Sequence, residues 1–223
     1  MFCIIKKEKE REKNMNTIFS EKDKKAKEYM NTTYGAKYGD EFEVINAEYA
    51  GFTSRADSFT MSSKRFPDFY IRVSYFEEKY TTNYMEIHFY KQYQQYMQPI
   101  FEKALGECKV LLDFTMSPSV VYTENTTFKE FLLTKRSLKS LTVFLKDDKD
   151  LHERVLALVK ELKEKDVPVG TMRFMMIEKY EDAKAFVNEN DWGKYKRADK
   201  SHAIQKKYKY SLNRDYEIRD RKI

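Results

Sequence analysis

The chain has 223 residues, of which 41% are hydrophobic and 35% are charged, with a formal net charge of +6. This length fits one large domain or two small ones, and the hydrophobic fraction is too high for an intrinsically disordered chain. The sequence contains no apolar run of the roughly 18 residues that a membrane span needs. Because it also lacks a glycine-rich phosphate loop and any metal-ligand spacing, we expect no cofactor and no metal. Cys3 and Cys108 lie far apart and are predicted to be free thiols.

Residues 1–20 predict a charged arm rather than a folded element. Their lysines and glutamates leave no apolar helix face to bury, and the apolar stretch from Met1 to Ile5 is too short for a signal peptide. Met15 is an alternative start residue. We expect a cytoplasmic protein if the chain is complete as given, and a membrane-tethered protein outside the cytoplasm if an N-terminal anchor is missing.

Residues 21–118 predict a first α+β unit. Helix-spaced and alternating apolar residues predict, in chain order, a helix over 21–34, strands over 41–50, 58–63 and 68–76, a helix over 83–105 and a strand over 109–116. Three short successive strands indicate an antiparallel meander with one buried face. Pro99 should kink the long helix because it removes a backbone donor. The last strand is almost continuously apolar, which predicts a central position in a sheet.

Residues 119–193 predict a second unit, and residues 194–223 predict a basic tail or an edge strand. The patterns indicate a helix over 127–134, a strand over 141–145, a helix over 150–165, a strand over 171–177, a helix over 180–187 and a basic strand over 207–212. The fold class that we predict is therefore α+β, with antiparallel sheets and helices packed on one face. Two related α/β halves are an open alternative.

The candidate catalytic residues all have structural interpretations. His88 lies on the long predicted helix, where its neighbour Glu86 points in another direction and cannot orient it. His152 sits in an acidic first turn that complements a helix dipole. Glu77 and Glu78 follow the strand predicted over 68–76, and in strand geometry they would face opposite sides and could not share a proton. We therefore predict a non-enzymatic protein, with an enzyme assembled from scattered Asp, Glu and Tyr residues as an alternative.

The C-terminal segment is the best candidate for a partner site. From Lys194 to Ile223, eleven basic residues stand against four acidic ones, so the rest of the chain is close to neutral. Cations and aromatic residues alternate there in two clusters, which are Lys194, Tyr195, Lys196 and Arg197, and Lys206, Lys207, Tyr208, Lys209 and Tyr210. Lysine and arginine neutralise phosphates and tyrosine stacks on bases, which suits a nucleic acid or an anionic membrane surface. The alternative is a solvated edge strand whose lysines block aggregation.

One stretch of the chain resembles a family of proteins from Gram-positive bacteria. The residues that carry the resemblance are Ala26-Lys27-Glu28-Tyr29-Met30, Tyr38-Gly39-Asp40-Glu41-Phe42-Glu43-Val44, Pro67-Asp68-Phe69-Tyr70-Ile71-Arg72-Val73 and Asn83-Tyr84-Met85-Glu86. They are similar to that family's A-x-E-Y-L helix, its K-Y-G-x-E-F-x-V strand, a P-D-x-x-F/Y-x-V strand and the start of a long helix. The resemblance covers residues 22–105. It implies the same kind of fold, no known activity and, in many members, an N-terminal tether outside the cell.

Taken together, these patterns predict a binding or interaction module that acts at its surface. A protein, a nucleic acid and an anionic membrane surface are all open as partners, and the last two would bind the basic C-terminal segment.

Overall fold

The computed structural model describes residues 21–51, 55–113, 122–177 and 204–222. The predicted arm over 1–20 and the predicted helix over 180–187 lie outside them. The chain forms two compact units: the first takes the residues up to Ile87 together with Thr115–Asn125, and the second takes His88–Phe114 and the residues from Thr126 onward. The boundary that the sequence predicts near residue 118 falls among residues that are not described.

The first unit begins with a helix, α1, over residues 21–38. Its buried stripe consists of three residues at helical spacing that are at most 1% exposed, Ala26, Met30 and Tyr34. The helix widens to π geometry over Asn31–Gly35. It ends at Gly39, whose φ of 67° is a left-handed conformation that glycine adopts without strain.

A four-stranded antiparallel meander follows α1. Its strands are β1 (Phe42–Glu48), β2 (Asp57–Ser63), β3 (Ile71–Phe76) and β4 (Lys79–Thr82), paired in that order. One face of the meander is apolar and buried, with Phe59, Met61, Ile71 and Val73 at its centre. This face packs against α1, because the Tyr29 ring of the helix stacks on Tyr80 of β4. The predicted meander is therefore present, with one strand more than the sequence indicates.

The additional strand explains why the prediction for Glu77 and Glu78 was wrong. These residues do not lie in a strand but form the two-residue turn between β3 and β4, with φ of 47° and 61°. Positive φ at both positions is the type I′ pattern, whose twist matches that of the flanking strands. The usual Asn-Gly signal of this turn is missing, so the turn and the short strand after it were hidden in the sequence.

Helix α2 (Tyr84–Leu105) begins in the first unit and continues into the second, with Pro99 inside a single continuous helix. The other elements of the second unit are β5 (Cys108–Asp113), α3 (Phe128–Leu133), β6 (Lys139–Leu145), α4 (Leu151–Glu164), β7 (Val169–Ile177), β8 (Ile204–Leu212) and β9 (Ile218–Lys222). The five strands form one sheet in sequence order. Strands β6 and β7 are parallel and are connected by α4, whereas the other described pairs are antiparallel.

Two strands of this sheet occupy positions that differ from the predictions. Strand β5 was expected at the centre of a sheet but lies at its edge, beside β6. Its apolar residues are buried because α2 covers its outer side, where Gln98 bonds to its backbone. Strand β8 was expected at an edge but lies between β7 and β9. The chain turns back after β8 because Asn213 accepts the backbone N–H groups of Asp215 and Glu217.

The fold class is α+β, as the sequence predicts. The clearest agreement is α4, whose predicted apolar stripe is its buried stripe, Leu151, Val155, Leu158, Val159 and Leu162. The first sheet is wholly antiparallel and the second contains a parallel pair, so strand order does not relate the two halves. Within the described residues no helix is long and apolar enough to cross a membrane.

Candidate binding pocket

A recess of about 500 Å³ opens in the first unit where α1 meets the meander. The helix lines it with Lys22, Lys25, Glu28, Tyr29 and Thr32. The sheet lines it with Asp57, Phe59, Tyr75 and Tyr80, and the β3–β4 turn adds Glu78. Its volume lies within the range of small-molecule sites, roughly 300–1,000 Å³.

Three tyrosine rings form a contiguous row along the recess, the tyrosine stack, in which Tyr29 lies nearly parallel to Tyr80 at 17° and Tyr75 is tilted by 39° against Tyr80. Tyr80 occupies the middle position, with its centroid 4.5 Å from that of Tyr29 and 4.6 Å from that of Tyr75. The β3–β4 hairpin places Tyr75 directly opposite Tyr80, and the helical spacing of α1 turns Tyr29 toward the same sheet face. The stack thus gives the recess a rigid aromatic wall, which binds ligands at little cost in side-chain entropy.

The polar centre of the recess is the carboxylate of Asp57. Its side chain is only 5% exposed. The Oδ1 atom accepts the backbone N–H of Ala50 at 2.8 Å, and the Lys22 ammonium lies 2.9 Å from Oδ2. The same ammonium lies 5.7 Å from the centroid of the Tyr49 ring, within the range of a cation–π contact. A carboxylate and an aromatic face therefore hold one cation at this point.

Tyr49 is itself fixed by a second acid on α1. Its hydroxyl donates to Asp23 Oδ1 at 2.8 Å. Burial and this hydrogen bond raise the pKa of Tyr49 to about 12, and burial also raises the pKa values of Tyr29 and Tyr80. These hydroxyls therefore stay protonated near neutral pH and act as hydrogen-bond donors. They are poorly suited to proton transfer, because a general acid or base works best with a pKa close to the working pH.

The charge around the recess is slightly acidic. Three carboxylates, Glu28, Asp57 and Glu78, stand against two lysines, Lys22 and Lys25. Because Asp57 already neutralises Lys22, the balance favours a neutral or cationic ligand over an anion. The fold has brought together Asp, Glu and Tyr residues that are distant in the sequence, as the enzyme alternative required. The raised pKa values of Tyr29 and Tyr80 and the pairing of Asp57 with Lys22 suit binding better than proton transfer.

The residues predicted to bind a partner are only partly described. Lys194, Tyr195, Lys196 and Arg197 lie outside the described residues, whereas the second predicted cluster lies on β8 (Lys206, Lys207, Tyr208, Lys209 and Tyr210). The strand alternates, so its residues divide between the two faces of the sheet. On the face that carries α4, the Lys206 ammonium bonds to Asp148 at 2.8 Å and the Tyr208 hydroxyl donates to the same carboxylate.

Tyr210 lies on that same face and is fully buried. Its ring packs 5.6 Å from Phe174 and 6.1 Å from His152, measured between ring centroids. A buried ring of this kind is part of the core and offers no face to a base. Lys207 and Lys209 point to the opposite face of the sheet, where Lys207 is exposed and Lys209 is half-buried. The basic strand therefore presents cations to solvent, Tyr210 belongs to the core, and partner binding by the other residues of the cluster stays a prediction.

The other residues considered from sequence have structural environments. Cys108 is a buried free thiol, as predicted, and burial raises its pKa to about 12. The ring of His152 lies parallel to that of Tyr210, and His88 packs against Phe89. Among the residues that the structure describes, no group of three or more His, Cys, Asp or Glu is placed to hold a metal ion.

The segment that carries the family resemblance has a structural role around Asp40. The buried carboxylate of Asp40 accepts the backbone N–H groups of Glu41 and Arg65 and the hydroxyl of Ser63, the last at 2.6 Å. It thereby joins the end of α1 to the turn after β2. These residues lie outside the pocket lining, except that the helix part contributes Glu28 and Tyr29. The resemblance therefore describes mainly how this unit folds.

Comparison with known proteins adds little to this description. No protein-family model matches the chain, and no curated protein matches it. A crystal structure of a DUF5037 family protein from Ruminococcus gnavus ATCC 29149, an uncharacterised protein from a Firmicutes bacterium, covers 89% of this chain and 94% of its own, with 16% sequence identity and a TM-score of 0.44. A likeness of this degree identifies neither fold nor function. The resemblance of residues 22–105 to a Gram-positive family stays a prediction.

Proposed function

We propose that the chain is a binding module and that the recess between α1 and the meander is its binding site for a small organic molecule. The observation that carries this proposal is the row of three adjacent tyrosine rings beside a carboxylate that is almost fully buried. Large apolar rings with a few convergent polar groups are typical of small-molecule sites. The pKa values of Tyr29 and Tyr80, which burial raises, support a site that binds without transferring protons.

A test of this site compares two tyrosines of the same unit. Tyr80→Ala removes the middle ring of the stack, whereas Tyr70→Ala removes a ring that is 63% exposed and outside the recess. We expect small aromatic molecules to shift the amide NMR signals of α1 and β2–β4 in the wild type and in Tyr70→Ala, and to bind Tyr80→Ala at least tenfold more weakly. The spectrum of the unliganded variant confirms that it is folded. Equal binding by Tyr80→Ala would refute the site.

A second candidate function uses the basic strand β8. Arg173 and Lys209 occupy directly opposite positions on β7 and β8. Like charges directly opposite each other repel, and Asp113 pairs with Arg173. An anionic partner, either a nucleic acid or a lipid surface, would offset this repulsion. The undescribed cluster Lys194–Arg197 belongs to the same proposal.

This second candidate is tested by neutralising two lysines at a time. Lys207→Gln with Lys209→Gln should weaken binding to short RNA, short DNA or anionic vesicles and should reduce its dependence on salt. Lys160→Gln with Lys163→Gln changes the net charge equally on the exposed side of α4 and serves as the control. If both pairs act alike, only the total charge matters and β8 is not a site.

The family and the compartment also remain proposals. We infer a protein of the Gram-positive kind from the resemblance of residues 22–105. We propose the cytoplasm as its compartment, and the free thiol of Cys108 is compatible with a reducing environment. The alternative is a protein tethered outside the cytoplasm through an N-terminal anchor.

A further inference from the structure

We infer that the recess selects a ligand that carries both an aromatic ring and a protonated amine, and that the Lys22 ammonium occupies the amine position in the free protein as a built-in competitor. This inference rests on the proposed function, because it names the ligand class of the same recess. Four features of the described residues lead to it.

The first feature is that the buried carboxylate of Asp57 requires a cation as its partner. Its side chain is only 5% exposed, and a buried charge without a partner is strongly unfavourable. The carboxylate is held in place by the N–H of Ala50 and by its position on β2. The acid is therefore a fixed, preorganised receptor for a positive nitrogen.

The second feature is the exposure of Lys22, the cation that pairs with Asp57 in this structure. Its ammonium touches both oxygens of Asp57, at 3.0 Å and 2.9 Å, yet its side chain remains 37% exposed. A lysine side chain is long and flexible, and its ammonium is easily hydrated. Lys22 can therefore leave for solvent while Asp57 stays in place. The result is a cation site whose present occupant is replaceable.

The third feature is the aromatic environment of the same nitrogen. The Tyr49 ring lies 5.7 Å from the ammonium, and Phe59 meets Tyr49 edge to face with centroids 6.3 Å apart. Carboxylate and ring together recognise organic ammonium groups better than hydrated metal cations, because the ring face attracts a cation that carries little water. The position is thus suited to an amine.

The fourth feature is the tyrosine stack in the same recess. Tyr75 and Tyr80 line it together with Asp57, so a ring that packs on the stack and an amine at Asp57 can belong to one small molecule. An anionic ligand fits less well, because the carboxylates outnumber the lysines of the lining. An arylalkylamine combines the two groups that the recess receives.

The test uses two probes of nearly equal shape, 2-phenylethylamine and 2-phenylethanol, with calorimetric titration of the full chain at neutral pH. We expect the wild type to bind the amine more tightly than the alcohol. Lys22→Met removes the competitor and should raise the affinity for the amine about tenfold, because the binding-competent state becomes the dominant one. It should leave the affinity for the alcohol unchanged. Lys25→Met, at the exposed lysine of the same lining, should change neither.

A second variant at the same position controls for misfolding of Lys22→Met. Lys22→Arg keeps the charge and can pair with the carboxylate through two parallel hydrogen bonds, so it should compete better than lysine and lower the affinity for the amine. Opposite effects of Met and Arg at this position are not produced by a general loss of structure.

The possible outcomes separate the two proposals. If the amine and the alcohol bind equally well, and the Lys22 variants change neither, the inference fails while the recess remains a binding site. If neither probe binds and the aromatic molecules of the Tyr80 experiment do not bind either, both proposals fail. If Lys25→Met raises the affinity for the amine as much as Lys22→Met does, the effect is one of net charge, and the role of Lys22 is refuted.

Discussion

Gly35 shows how closely single atoms approach in the first unit. It lies in the π segment of α1, and a Cβ atom at this position would stand 2.7 Å from the carbonyl oxygen of Asp40. Because that oxygen belongs to the backbone, it cannot swing away as a side chain would. The missing side chain of Gly35 therefore allows the end of α1 to fold back toward β1.

We predict that Gly35→Ala lowers the free energy of unfolding by about 1–3 kcal/mol, since the added methyl group forces a backbone shift. Differential scanning calorimetry measures the effect. Gly51→Ala is the control, because the nearest atom to its added Cβ would be 3.9 Å away. A Gly35→Ala protein as stable as the control would show that the contact is not a constraint.

Asp148, in the loop between β6 and α4, pairs with two side chains of β8. Its carboxylate accepts hydrogen bonds from the Lys206 ammonium and the Tyr208 hydroxyl. These bonds, led by that of Lys206, lower the pKa of Asp148. A lowered folded-state pKa means that the stabilisation is complete above the unfolded value of about 3.9 and is lost as the pH falls through the folded value.

The expected pH dependence follows from that sign. We predict that wild type is more stable than Asp148→Asn at neutral pH, and that the difference shrinks below about pH 4 as the wild-type carboxylate is protonated. Calorimetric unfolding of both proteins over a pH series provides the measurement. Asp68→Asn, at an exposed position, should show no such convergence. A difference that stays constant with pH would mean that charge is not the origin of the effect.

At the scale of the element, side chains of α2 bond to the outer edge of β5 in the manner of a neighbouring strand. Among the described residues, no strand pairs with the outer backbone groups of β5, and such edges tend to pair with other chains. Gln98 closes this edge, because its amide accepts the Val110 N–H at 3.0 Å and donates to the Cys108 carbonyl at 2.6 Å. Gln94 donates to the Val110 carbonyl at 3.0 Å. Two glutamine amides thus imitate the hydrogen bonds of a neighbouring strand.

We predict that Gln98→Ala increases self-association, because it exposes the unpaired groups of β5 to a second chain. Analytical ultracentrifugation at rising protein concentration should show species of higher mass for this variant than for wild type. Gln95→Ala, at an exposed position of the same helix, is the matched control. Identical sedimentation of both variants would indicate that the edge is not the surface at risk.

At the scale of the whole molecule, strand pairing does not follow the division of the chain that the sequence predicts. The predicted first unit ends at residue 118 and includes β5, but β5 pairs with β6 of the second unit. Conversely, Glu124 belongs to the first unit, where its carbonyl accepts bonds from Lys37 and Tyr38. The chain therefore passes between its two units more than once.

This connectivity predicts the behaviour of fragments. We expect a fragment of residues 21–118 to be poorly soluble and to give a poorly dispersed amide NMR spectrum, because β5 would expose apolar residues without its partner strand. A fragment of residues 21–223 keeps both units and should remain soluble. A well-dispersed spectrum from the shorter fragment would show that β5 does not depend on β6.

The elements that the sequence predicted are those whose signals are local. The five buried positions of α4 follow directly from helical spacing. In contrast, β4 was missed because Glu77 and Glu78 adopt positive φ without a glycine or asparagine. The edge position of β5 was missed because its cover comes from Gln98 on another element, and no local pattern encodes that contact.

The candidate site could not be predicted for a similar reason. Tyr29, Asp57 and Tyr80 belong to a helix and two strands, and only tertiary packing brings them together. The one signal available beforehand is the two-residue spacing around Glu77–Glu78, which would have paired Tyr75 with Tyr80 had the turn been recognised. The basic segment, which the sequence favoured, proved partly structural because the burial of Tyr210 depends on α4 and β7.

The stack of Tyr29, Tyr80 and Tyr75 also gives the protein an optical property. Phenol rings only 4.5 Å and 4.6 Å apart couple their electronic transitions and should produce a strong near-ultraviolet circular dichroism signal. The chain contains 17 tyrosines and one tryptophan, so the part of the signal that Tyr80→Ala removes is the part that belongs to these rings. A molecule that enters the recess would change it directly. The wall of the recess can therefore report its own occupancy without a label.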